Sequence, residues 1–129
     1  MLEIKQYNQE LSPESKVICD WLFSQFKKAL PGTEAKIWHG HPVWFHNGNP
    51  IVGYSQMKAG VQILFWSGQS FTKAGLKPVG KFKAAGIYVS SRKDPNLAEL
   101  SSWLKESIEI QWDYANLPKK KKLSKATIF

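Results

Sequence analysis

At 129 residues and 43% hydrophobic, with six Trp, seven Phe and four Tyr, the chain is long enough to close one core and too apolar to stay disordered. Its formal charge of +8 is uneven: of 18 basic residues, Lys119, Lys120, Lys121, Lys122 and Lys125 follow residue 114 with no acid among them, leaving 13 against 10 acids before it. A single cysteine excludes an internal disulfide, the first residues lack the apolar stretch of a signal peptide, and no run reaches the roughly 18 apolar residues of a membrane span, so a cytoplasmic protein is expected.

The first predicted helix opens at Ser12-Pro13-Glu14, where Ser12 suits the N-cap, Pro13 the first helical position and Glu14 the positive helix end. Ile18, Leu22, Phe26 and Ala29 recur on one face, flanked by Trp21, Gln25 and Leu30, and Pro31-Gly32 stops the run. Cys19 falls at the edge of that stripe, as a buried structural thiol. Strands are expected over residues 35–39, 43–45, 51–54, 61–66 and 87–90, with a bend at Gly40-His41-Pro42 and a hairpin at Asn47-Gly48, whose residues tolerate positive φ. Residues 67–86 read as irregular, with a helical turn near Ser70–Ala74. A last helix is expected from Asp94-Pro95 to between Tyr114 and Leu117, with Leu97, Leu100, Leu104, Ile108, Gln111 and Ala115 on one face. Consecutive strands between two helices predict an α+β domain over residues 1–117, an antiparallel sheet of about five strands flanked by N- and C-terminal helices. Residues 118–129 read as a basic tail, either solvated and mobile or docked through Ile128-Phe129.

Within this frame Glu34, Ile37, Gly40 and Pro42, followed by Gly48, Pro50 and Val52 and the apolar Val61–Phe65 run, resemble the YdhG-like (DUF1801) family of small bacterial domains. The resemblance covers roughly residues 12–114. It implies a frataxin-like sandwich and, by way of relatives described as iron chaperones, a role in metal handling with iron as the cofactor or cargo.

Four constellations could carry chemistry. His39 and His41, two apart in an extended segment, would face one side, with His46 and Glu34 as further donors; imidazole suits Zn, Fe, Cu or Ni. Glu99, Glu106, Glu109 and Asp113 fall within one arc of the last helix, and Glu106, Glu109 and Asp113 form a second, alternative metal site of oxygen donors. Trp38, Trp44, Tyr54, Trp66 and Tyr88 on the sheet, with Trp103 on the last helix, could form core, line a groove for an apolar ligand, or meet a protein partner or second copy of the chain. Lys119, Lys120, Lys121 and Lys122, with Lys125, could meet a polyanion through counterion release, although lysines without arginine or interleaved aromatics give no base readout. No nucleophile elbow, phosphate loop or paired carboxylates are legible, which favours a non-enzymatic role.

Overall fold

The computed structural model describes residues 1–129. Its elements are α1 (Leu2–Gln9), α2 (Pro13–Ala29), β1 (Glu34–Trp38), β2 (His41–His46), β3 (Asn49–Met57), β4 (Gly60–Phe65), a 3₁₀ turn (Gly68–Ser70), β5 (Lys77–Pro78), β6 (Ala85–Val89), α3 (Leu97–Glu109) and α4 (Leu117–Lys120). The α+β class stands. The sheet has six strands in the order β1-β2-β3-β4-β6-β5, every neighbouring pair antiparallel. The sixth strand is the two-residue β5, too short to show period-2 alternation. No helix is long and apolar enough to cross a membrane.

The helices cover one face of the sheet. Ser12 Oγ accepts from the Ser15 N–H and Pro13 opens α2. Cys19, Leu22, Phe26 and Leu30 are the buried stripe. The stripe is therefore rotated relative to the expected one: Cys19 sits at its centre and Ile18 is only half-buried. Burial pushes the Cys19 thiol up to about 12, so it is a packing group and not a thiolate. Strand alternation sends Trp44, Val52, Tyr54, Val61, Ile63, Phe65 and Val89 towards the helices, where Leu100, Trp103 and Leu104 of α3 close the core.

Helix α1 had no expectation behind it. Its buried positions are only Ile4 and Asn8, so its core face carries a polar residue where a stripe would need an apolar one. Asn8 is satisfied only by tertiary partners: Tyr54 donates to its Oδ1 (2.8 Å) and its Nδ2 donates to Asp20 (3.1 Å).

Helix α3 is shorter than expected at both ends. Asp94 does not cap it but closes the preceding turn, accepting from the Ser90 hydroxyl at 2.9 Å, while Asn96 Oδ1 caps the Glu99 N–H at 2.9 Å. At the C-terminal end the chain leaves the helix at Ile110. There the Thr127 hydroxyl donates to the Glu109 carbonyl (2.9 Å) and Gln111 Nε2 to the Ile108 carbonyl (2.8 Å), replacing further helical bonds. The expected turn near Ser70–Ala74 appears instead as the 3₁₀ turn, which starts two residues earlier and ends at Ser70.

Residues 118–129 fold back on the domain: Trp112 bridges Lys125, the Asp113 N–H donates to the Ser124 carbonyl, and the Ala126 and Thr127 N–H groups donate to the Gln111 carbonyl. Phe129 packs edge-on against Trp112 at 5.6 Å. Charge composition reads such a segment as solvated; the backbone pairing that holds it has no compositional signature.

Candidate functional site

The sheet face away from the helices carries the opposite parity of side chains. Lys36 and Trp38 of β1, His41, Val43 and Phe45 of β2, Gly53 and Ser55 of β3, and Gln62 and Leu64 of β4 share it. The predicted aromatic set therefore splits. Trp44 is 1% exposed and packs against Phe26 (4.9 Å) and Tyr54 (5.9 Å), and Tyr54 is equally buried, so both rings belong to the core, although Tyr54 also borders the cleft described below. Period-2 alternation decides this, since Trp44 and Tyr54 share the parity of Val52 and Ile63. Trp38 and Trp66 remain on the open face, their rings 6.2 Å apart, with His41 6.5 Å from Trp66 and Phe45 5.4 Å from Trp38. Tyr88 lies on the same face near the far edge and is largely exposed.

The β1–β2 connection is a two-residue turn, not a bend at Gly40-His41-Pro42. His39 and Gly40 both take positive φ (53° and 84°), as do Asn47 and Gly48 in the next hairpin (50° and 81°), the geometry two-residue hairpins favour. His39 thus occupies a turn and His41 a strand, so the simple alternation that would align them is broken. The two still stand at one end of the sheet. His46 lies at the other end of β2, its Nδ1 2.9 Å from Gln111 Nε2.

Beside this turn the sheet opens. Val43 pairs with Gly53, but strand β3 continues to Met57 with no paired residue of β2 beyond Val43, and the Gln56 N–H donates to the Tyr7 hydroxyl (2.9 Å). Gly53 is required there, because a Cβ would stand 2.6 Å from the Pro42 carbonyl oxygen. The Pro42 carbonyl and the Val43 side chain close directly over Gly53, and the cleft opens beyond them, where β3 runs on without β2. The resulting cleft has a volume of about 380 Å³ and is lined by His39 and His41 at the β1–β2 turn, by Ser55 and Met57 of β3, by Gln62 and Leu64 of β4 and by Tyr7 of α1. No carboxylate, lysine or arginine lines it.

Burial, reinforced by the nearby His39, pushes the His41 pKa below its ordinary value, against a weaker opposing bond to the Pro42 carbonyl. The imidazole is therefore neutral at pH 7. A depressed histidine pKa means that the unfolded chain binds the proton first as pH falls. Stability should decline from about pH 6.5 down to the lowered folded value and level off below it. The expected result is that His41→Gln flattens this part of the denaturation midpoint against pH relative to wild type.

The remaining predicted residues do not join the cleft. Glu106 accepts from the Thr72 hydroxyl and N–H and from the Lys73 N–H, tying the loop after the 3₁₀ turn to α3. Glu109 shares a shallow surface cleft with Glu106 and Lys105, whereas Asp113 lies outside the helix and accepts from Asn116. The expected acidic arc is broken because α3 ends before Asp113. No three His, Cys, Asp or Glu side chains come together as a metal-binding group. Lys119–Lys122 are exposed on and after α4. Sequence reasoning missed Gly53, Ser55, Met57, Gln62 and Leu64; the Gly in an otherwise apolar strand was the one available signal. Comparison of the chain with family models, curated proteins and solved structures gives no match in any of the three.

Proposed function

We propose that this protein is a non-enzymatic binding module that takes a small, planar, uncharged ligand in the cleft beside Gly53. The observation that carries the reading is a cleft lined by His41, Ser55, Gln62 and Leu64, which offers neutral hydrogen-bonding groups and no charge. A flat ring can lie against Leu64 and Met57, apolar side chains of the lining. A neutral His41, Ser55 and Gln62 offer both donors and acceptors to its edge, as small-molecule sites do with a few placed polar groups. The absence of a charged partner in the cleft disfavours an ionic ligand, whose desolvation would go uncompensated.

The iron role implied by the family resemblance fits these residues poorly. The cleft supplies two imidazoles and no carboxylate, while Glu106 and Asp113 are engaged elsewhere by Thr72, Lys73 and Asn116.

The test is a titration of labelled protein with planar heteroaromatic probes (nicotinamide, adenine and indole), followed by amide chemical shifts. Binding with a Kd of roughly 10 µM to 1 mM is expected, with shifts centred on His41, Gly53 and Leu64. Gln62→Trp, which fills the cleft from a half-exposed position in its lining, should abolish them. Shifts confined to other surfaces, or binding unaffected by Gln62→Trp, would defeat the reading.

A further inference from the structure

The lysine-rich C-terminal segment has no aromatic between its lysines, but the fold sets rings beside them. The Trp112–Lys125 bridge places the Lys125 ammonium 6.0 Å from the Trp112 ring and 4.4 Å from that of Phe129. From the other side the loop between β5 and β6 brings the Lys83 ammonium to 4.9 Å from the same indole, and the Lys83 N–H donates to the Tyr114 hydroxyl at 3.0 Å. Phe82 stands edge-on to Tyr114 at 6.5 Å, with the Lys81 ammonium 5.5 Å from its ring. Cations and rings therefore alternate across one surface built from two segments more than thirty residues apart in the chain. Lys119 and Lys120 of α4, with Lys121 and Lys122 after it, are exposed close by in the chain. The acid within it, Asp113, is occupied by Asn116 and lies 3.9 Å from Lys120.

We propose that this surface, distinct from the cleft beside Gly53, binds single-stranded nucleic acid without sequence preference. Phe82 and Phe129 are 42% and 39% exposed, so each presents a ring to solvent on which a base can stack. The lysines beside them neutralise the adjoining phosphates. This combination of a basic track and stacking rings is what sequence-tolerant single-strand binders use. A duplex is disfavoured because its bases are already stacked and α4 is a single turn, too short to enter a major groove. The surface contains no arginine, so the bidentate contact that selects guanine is lacking.

The test compares fluorescence anisotropy of the full chain with an oligothymidylate of about 12 nucleotides, an abasic strand of equal length and the matching duplex. Single-stranded DNA should bind more tightly than either. Phe82→Ala and Phe129→Ala should each weaken its binding by about 5- to 100-fold, while leaving the abasic strand unaffected and the salt dependence unchanged. Lys81→Gln with Lys83→Gln should instead lower the slope of log K against log salt by about 1.4, the value for two lost phosphate contacts on a single strand. Equal affinity for the abasic strand, indifference to the phenylalanine substitutions, or preference for the duplex or for anionic lipid vesicles would overturn the proposal. Both phenylalanines are exposed, and circular dichroism of the variants separates lost binding from lost fold.

Discussion

Trp44→Ala is expected to destabilise the protein by about 3–5 kcal/mol, a large share of the ~5–15 kcal/mol typical of a domain. Trp44 is fully enclosed: Phe26 meets it edge-on at 4.9 Å, Tyr54 lies at 5.9 Å and Phe23 at 6.1 Å. Truncation removes the transfer energy of an indole and leaves a cavity that rigid aromatic neighbours cannot collapse to fill. Tyr88→Ala, on the open face, should shift stability by no more than about 0.5 kcal/mol. Denaturant titration checks both, through a change in midpoint with the slope conserved. The pair separates two roles for the sheet aromatics. A small loss at Trp44 would place it in a site and not in the core.

Asn49→Ala should cost about 2–4 kcal/mol and release the C-terminal segment. Asn49 is 5% exposed, and its amide ties the start of β3 to the residues after α3. Its Nδ2 donates to Gln111 Oε1 (3.0 Å) and to the Trp112 carbonyl (2.9 Å), while its Oδ1 accepts from the Ala115 N–H (3.0 Å). Alanine removes all three bonds; the buried Gln111 Oε1 loses a partner at about 1–3 kcal/mol, whereas the exposed Ala115 N–H can turn to water. Gln111 also holds His46 and, through its carbonyl, the Ala126 and Thr127 amides, so the loss should spread. Hydrogen exchange should quicken at Asp113, Ala126 and Thr127 while Ile63 and Phe65 stay protected. Uniform quickening would mean that the segment and the core unfold as one unit. The same variant should weaken single-strand binding, because the return of the chain is what sets Lys125 and Phe129 beside Trp112.

What the sequence determined by itself was local. Ser12-Pro13 and Pro31-Gly32 bound α2, Asn47-Gly48 makes its hairpin, and the strand run between two helices sets the α+β class, because capping, φ preference and alternation act over a few residues. Tertiary structure alone decided the rest. It ended α3 at Glu109 by offering Thr127 and Gln111 as substitute partners, buried Asn8 by pairing it with Tyr54, and made the site by parting β2 from β3 beside Gly53. Each of these depends on which distant group satisfies a backbone or amide donor or acceptor, and a buried polar group must find such a partner wherever the fold puts one. Composition counts those groups, but only the packed chain pairs them.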